Sequence, residues 1–250
     1  MSIKRLIRER FFPHIWCAGC GHGIILNALL HAVDELGIPQ NNLCMVSGIG
    51  CSARISGYVD FHSMHTLHGR ALAFATGIKM ARPDLSVFVP MGDGDAMAIG
   101  GNHFIHACRR NIDMVAIIMN NRIYGMTGGQ MAPTSLPNQV TQTTPYGRDV
   151  NTAGYPVRIC EMLSTLDGVA LAQRVTVDNV KNVNIAKKAI KKAFQNQIEG
   201  KGYSIVEVLS TCPTNWGMSP VEALDWLEKN MVPYYPLGVY KDGTKGDRLK

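Results

Sequence analysis

Asp93 and Asn121 stand 28 positions apart, and the residues around them leave the chain few folds to choose from. Leu85 to Pro90 is a short apolar run with the character of a buried strand, and so is Met114 to Met119. Between them, Ala96 to Arg110 has the length and small-residue content of a helix. The unit reads strand, glycine-rich turn, helix, strand. That order requires a parallel strand pair with a right-handed crossover. Both polar elements then fall at the carboxyl ends of neighbouring strands, where open α/β sheets bind ligands.

Residue types define the chemistry of that corner. Gly92 and Gly94 let the backbone turn tightly beside a ligand, and the helix that follows favours an anion at its N-terminus. Asp93 offers a hard carboxylate oxygen and Asn121 a neutral amide oxygen. Mg²⁺ takes such a pair when phosphates complete its shell. A surface turn is the competing reading of Gly-Asp-Gly alone. The paired Asn, with a strand before each element, favours a diphosphate bridged to the protein through Mg²⁺. Here the chain resembles the thiamine diphosphate enzymes, whose cofactor motif is GDG followed at about this interval by NN. The resemblance implies that Asp93, the Asn121 side chain and the Ile123 carbonyl hold the metal.

At 250 residues the chain supports one large α/β domain, or a domain and a tail. Apolar content of 46% indicates neither disorder nor a fibrous class. The net charge of +6 is largely dispersed, with basic groups at Lys4-Arg5, Arg8, Arg10 and along Lys187 to Lys192. No aromatic interleaving accompanies them, so solvated faces or an acidic protein partner are expected and nucleic acid is not. No apolar run reaches the length of a membrane span and no signal segment opens the chain, which predicts a cytoplasmic protein. In that compartment seven cysteines suggest metal, redox chemistry or buried thiols before disulfides.

Four of the seven fall on predicted loops or strand ends, where ligands converge. Cys17 and Cys20 form a glycine-rich CxxC ahead of an apolar helical run, Cys51 follows Gly48-Ile49-Gly50, and Cys212 precedes Pro213 after a final strand. Cys44, Cys108 and Cys160 read as small core residues. A single CxxC leaves a redox pair, half a zinc site and an iron–sulfur corner all open. A thiamine site nearby would give a [4Fe–4S] cluster a task.

Several motifs occur in order: WCAGCGHG (Trp16 to Gly23), SGIGCSAR (Ser47 to Arg54), HTLHGRALAFATGIKMARP (His65 to Pro83), MGDGDAMAIGGNHFIHACRRN (Met91 to Asn111) and NNRIYGMTGGQMAPTS (Asn120 to Ser135). Together with Cys212 they resemble the β subunit of 2-oxoacid:ferredoxin oxidoreductases over about residues 10–217. The resemblance implies a thiamine-dependent oxidative decarboxylation of a 2-oxoacid to acyl-CoA and CO₂, with electrons passed through a [4Fe–4S] cluster to ferredoxin. It assigns Cys17, Cys20, Cys51 and Cys212 to that cluster. It places Ile49, Gly50, Cys51, Ser52, one or both of His65 and His68, Gly94, Asp95, Gly125 and Met126 around the thiamine diphosphate.

His65 and His68 are three apart, and on a helical turn they would share a face near phosphate. Arg54 is a candidate clamp for a substrate carboxylate, since guanidinium binds carboxylate bidentately; a surface Arg competes with that reading. Gly128-Gly129 replaces the Lys-Gly of some relatives acting on pyruvate and mixed 2-oxoacids, and the Met-Thr-Gly-Gly-Gln form resembles subunits assigned to 2-oxoglutarate. Pyruvate or a branched-chain 2-oxoacid remains the alternative substrate. A non-redox thiamine lyase or decarboxylase subunit with structural zinc is the alternative class.

The chain shows one set of diphosphate-site motifs, no internal repeat and no second domain for the aminopyrimidine. By resemblance that domain, with its activating glutamate, belongs to a partner α subunit in an αβ or (αβ)2 assembly. The expected architecture is a doubly wound, mostly parallel α/β fold. Strands are predicted near 43–47, 85–90, 114–119, 173–177 and 204–209, and helices near 23–36, 67–81, 96–110 and 184–198. Residues 1–218 would form the thiamine diphosphate-binding domain, with 219–250 an aromatic arm packed on the partner or, past about Gly238, a mobile end. The long connection from Met131 to Pro156 should cover the active site or meet the α subunit.

Overall fold

A computed structural model describes residues 3–243. The strands are β1 (Leu43–Ser47), β2 (His62–His65), β3 (Ser86–Gly92), β4 (Val115–Asn120), β5 (Ile123–Tyr124), β6 (Gln130–Met131), β7 (Val169–Thr176), β8 (Tyr203–Leu209) and β9 (Gly238–Asp242). The helices are α1 (His22–Glu35), α2 (Ile55–Tyr58), α3 (Ala71–Ala81), α4 (Gly101–Arg109), α5 (Val150–Ala153), α6 (Ile159–Ser164), α7 (Val180–Ile198), α8 (Pro213–Trp216), α9 (Pro220–Trp226) and α10 (Val232–Tyr234). Seven strands form one sheet in the order β2-β1-β3-β4-β8-β7-β9, parallel except for β9. Among the described residues no helix is long and apolar enough to cross a membrane.

Side-chain alternation divides the interior into two layers. On β4, Val115, Ile117 and Met119 point to the side covered by α1 and α7, while Ala116 and Ile118 point to the side covered by α3, α4 and α6. On β8, Val206 and Val208 join the first layer, Tyr203 and Ile205 the second. Burial on both faces explains why these strands are mostly apolar, with Glu207 of β8 a paired exception. The doubly wound α/β class expected from the sequence is therefore what forms. Helix starts are capped where the sequence offers a cap: Asn179 accepts from the Asn182 amide at α7, and Ser219 and Glu222 make a reciprocal capping box at α9.

The differences from expectation have local causes. β7 begins at Val169, ahead of the predicted 173, because Gln173 and Arg174 break its apolar pattern. Arg174 is fully buried, and its charge is met by Glu207 at 2.8 Å and by a forked pair with Glu161. Glu207 in turn accepts from the Asn120 amide at 2.7 Å. Burial alone would lower the Arg174 pKa, but the two glutamates outweigh it and hold the guanidinium charged. The predicted helix over 96–110 opens as a π-helical turn, Asp95–Ile99, before α4. The edge strand β2 is polar and mostly exposed, so it lacks an apolar signature.

The arm expected to pack on a partner packs, over 219–243, on its own chain. Leu227, Met231 and Tyr235 form a small core with Leu136 and Leu209, and β9 pairs antiparallel with β7. Gly238 thus begins a strand and not a loose end; residues beyond 243 lie outside the described part. The long connection is organised by Arg148, which donates to the carbonyls of Ala132, Pro133, Ser135, Ala153 and Gly154.

Replacing Arg174 by Met leaves Glu207 buried without its cation. The expected loss is about 3–5 kcal/mol of stability, measured by urea unfolding. An unchanged unfolding midpoint would contradict the role given to this pair.

Candidate functional site

The register of β3 on β4, with Gly92 opposite Met119, sets Asp93 beside Asn120 and Asn121 at the carboxyl edge of the sheet. Asp93 is almost fully buried, and its carboxylate accepts from the Thr134 hydroxyl. Burial pushes Asp93 up to about 6, against hydrogen bonds from Thr134 and the backbone and the charge of Arg122. A buried carboxylate whose neighbours leave its charge undercompensated suits a divalent cation. Asn121 Oδ1 accepts from the Ile123 amide at 3.3 Å, closing a tight turn in which Arg122 takes a positive φ of 58°. This turn brings the Asn121 side chain and Ile123 into one cleft with Asp93.

Arg122 points away from that cleft. Its side chain is fully buried, and its guanidinium lies 4.2 Å from the Trp226 ring centroid and 5.3 Å from that of Trp216. Its three nitrogens have no hydrogen-bond partner among the described residues. Burial draws its pKa down to about 9, against the charges of Tyr235 and Asp93, and the facing tryptophan rings favour the cation.

A second carboxylate joins the loop after β1 to the GDGD turn. Asp95 Oδ1 accepts from the Gly69 amide at 2.6 Å and the Ile49 amide at 3.4 Å, and faces His68 Nδ1 at 2.5 Å. Its other oxygen is buried without a partner. A Cβ at Gly48 would lie 2.1 Å from that oxygen, so only glycine allows the loop this close. Ile49, Gly50, Cys51 and Ser52 thereby share the cleft with His68, Gly94, Asp95, Gly125 and Met126. His65 does not join them. It ends the exposed strand β2, and His68 lies in the turn before α3, so the helical face expected for the pair does not exist.

The thiols approach the same cleft from behind. Cys51 lines it, Cys17 and Cys20 line an adjoining cleft, and a Cβ at Gly125 would lie 3.4 Å from Cys212 Sγ and 3.5 Å from Cys51 Sγ. Burial, with a smaller contribution from neighbouring thiols, raises Cys20 to about 12 and Cys51 to about 11. Cys212 is raised by burial too, with Cys17 adding to it. Cys20, Cys51 and Cys212, held up by burial and by neighbouring thiols, would become stable thiolates around a shared cationic centre. Among the described residues, no three His, Cys, Asp or Glu side chains converge as a single ion would require. Structural zinc would draw four thiolates to about 2.3 Å from one point, and the described side chains are not gathered that closely. Cys44, Cys108 and Cys160 are buried away from the cleft, as small core residues.

Arg54 is exposed and outside the cleft lining, though its charge reaches Cys51. Gly128 and Gly129 take φ values of 105° and 98°. Both are backbone conformations that favour glycine, so the turn itself constrains this pair. Three residues near the site were not singled out from sequence. His22 is buried in the cleft with Nδ1 3.2 Å from Cys20 Sγ, and burial lowers its pKa to about 4. Thr134 reaches Asp93 from the long connection, and Asn215 Nδ2 lies 3.3 Å from Cys212 Sγ. Only His22 carried a local signal, its place two residues after the CxxC.

Comparison with known proteins agrees with this geometry. Residues 48–208 match the family model described as thiamine pyrophosphate enzyme, C-terminal TPP binding domain. A relative from Archaeoglobus fulgidus, named 2-oxoglutarate synthase subunit KorB, is 48% identical over 90% of this chain and 79% of its own. A ketoisovalerate oxidoreductase subunit VorA from Methanothermobacter thermautotrophicus is 43% identical over 91% of this chain and 47% of its own. Among solved structures, a 2-oxoglutarate:ferredoxin oxidoreductase from Magnetococcus marinus, with 2-oxoglutarate, coenzyme A and succinyl-CoA bound, superposes with a TM-score of 0.82 at 33% identity, covering 98% of this chain and 86% of the other. With a thiamine diphosphate-binding domain over most of its length and relatives this similar across nine-tenths of it, the chain belongs to the β subunits of the 2-oxoacid:ferredoxin oxidoreductases.

Proposed function

We propose that the chain is the β subunit of a 2-oxoglutarate:ferredoxin oxidoreductase. The reaction converts 2-oxoglutarate, coenzyme A and two oxidised ferredoxins to succinyl-CoA, CO₂, a proton and two reduced ferredoxins. One observation carries the reading: a diphosphate corner at Asp93 and Asn121 shares a cleft wall, through Cys51 and Gly125, with four mutually interacting thiols. Bound thiamine diphosphate supplies a carbanion for the keto carbon and a sink for the charge left by CO₂, and a [4Fe–4S] cluster accepts electrons singly.

In this reading Asp93, the Asn121 side chain and the Ile123 carbonyl hold Mg²⁺, and Thr134 keeps Asp93 in place. Ile49, Gly50, Cys51 and Ser52, with Gly94, Asp95, Gly125 and Met126, wall the cofactor. His68, fixed by Asp95, donates to its polar groups, while His65 stands at the rim. Cys17, Cys20, Cys51 and Cys212 hold the cluster. Arg54 clamps a substrate carboxylate at the mouth of the cleft, beside the Cys51 loop. Residues 1–218 act as the cofactor domain. An α subunit closes the cleft with the pyrimidine-side domain and its glutamate, in an αβ or (αβ)2 assembly that works with ferredoxin in the cytoplasm. The described part of the C-terminal arm, besides packing on its own chain, packs on that subunit as well. The names of the 2-oxoglutarate relatives favour this substrate, whereas the ketoisovalerate relative keeps a branched-chain 2-oxoacid as the second reading.

Asp93→Ala is expected to weaken Mg²⁺-dependent thiamine diphosphate binding at least tenfold by calorimetry, and retained affinity would remove the metal assignment. The complex purified without oxygen should carry four iron and four sulfide per chain. A colourless protein with stoichiometric zinc would overturn the electron-transfer reading. Viologen reduction is expected to be fastest with 2-oxoglutarate; a clear preference for pyruvate would refute the substrate choice.

A further inference from the structure

Two side-chain nitrogens reach the thiols from opposite ends of the chain. His22 Nδ1 lies 3.2 Å from Cys20 Sγ, and Asn215 Nδ2 lies 3.3 Å from Cys212 Sγ. His22 is 1% exposed, so water does not compete for that contact. It sits at the start of α1, its ring 5.8 Å from Trp16, whose indole N–H is itself committed to the Cys51 carbonyl at 2.7 Å. An iron-bound Cys20 thiolate has no proton to give, so the imidazole must be the donor in that contact.

Asn215, in the short helix α8, has a second partner. The same amide nitrogen donates to the Gly125 carbonyl at 3.2 Å, so its two hydrogens join the Cys212 sulfur to the turn that lines the cofactor cleft. His22 lines that cleft as well. His22 thus touches both Cys20 and the cleft, and Asn215 ties Cys212 to the Gly125 wall of that cleft.

We infer that His22 and Asn215 are positioning residues that set the reduction potential of the cluster, through N–H donation to the Cys20 and Cys212 thiolates. This rests on the cluster reading above. An added electron increases negative charge on the sulfurs. A fixed N–H dipole aimed at sulfur in a buried site then stabilises the reduced cluster more than the oxidised one. Each donor raises the potential and favours electron uptake from the cleft. Removing either lowers it while the four ligands stay in place.

The test uses the αβ complex, purified without oxygen, in three forms besides wild type: Asn215→Leu, which keeps the size and removes both hydrogens; His22→Phe, which keeps a ring; and His22→Gln, which keeps an N–H. Iron and sulfide are counted, and the midpoint is read by EPR during a dye-mediated titration. Asn215→Leu and His22→Phe are each expected to lower the ratio of reduced to oxidised cluster about tenfold at fixed potential, a shift of about 59 mV for a one-electron couple. His22→Gln should stay near the wild-type midpoint. The two sites are independent, so either one that loads iron decides the matter. Fully loaded Asn215→Leu or His22→Phe with an unchanged midpoint overturns the inference and leaves the cluster reading standing. So does failure of every variant to load beside a loaded wild type, because the residues would then serve assembly. Wild type without iron or sulfide overturns the cluster reading itself.

Discussion

The site depends first on the parallel pairing of β3 with β4. The two strands are buried on both faces and hydrogen-bonded from Phe88 opposite Val115 to Gly92 opposite Met119. A slip of one residue would turn every inward side chain of either strand to the other layer. The packing of α1 and α7 on one face and α3 and α4 on the other therefore fixes the register, and the register fixes where Asp93 meets Asn121. Behind them, Asn120 is held by Glu207, Glu207 by Arg174, and Arg174 by Glu161 and the Tyr240 hydroxyl. This series of paired polar groups runs from the Asp93–Asn121 corner to the antiparallel edge strand β9.

Around the cleft the opposite holds. Among the described residues Asp95 keeps a buried oxygen and Arg122 three nitrogens without a partner, and neighbouring thiols raise the pKa of Cys20 and Cys51. Buried polar groups are satisfied nearly everywhere in folded proteins, and exceptions concentrate where function is carried. These exceptions do not have one cause. Asp95 and Cys51 line the cleft, where a bound cationic group would compensate them. Arg122 faces two tryptophans, and its charge is met by ring faces in place of hydrogen bonds.

The C-terminal arm is tied into this corner twice. Trp226 covers Arg122, the residue between Asn121 and Ile123, and the Tyr235 hydroxyl donates to the Thr134 carbonyl at 2.7 Å, whose side chain serves Asp93. Residues distant in sequence thus brace the turn that presents the Asn121 and Ile123 oxygens.

The sequence by itself determined the strand–turn–helix–strand unit, the pairing of Asp93 with Asn121, and the set of loop cysteines. Each of these is written in local apolar runs, glycines and short motifs. It could not determine that His65 and His68 sit on a strand end and a turn, because three-residue spacing looks helical until an edge strand claims His65. It could not reveal β9 either, since that strand forms only against β7. Nor could it show Thr134, Asn215 or Arg174 in their places. Each is a polar residue with a partner tens of positions away (for Asn215 the Gly125 carbonyl, beside its near neighbour Cys212), and those contacts exist only once the register of the sheet and the path of the long connection bring the partners together. Local pattern decides which elements form; which side chains meet at their ends is decided by packing.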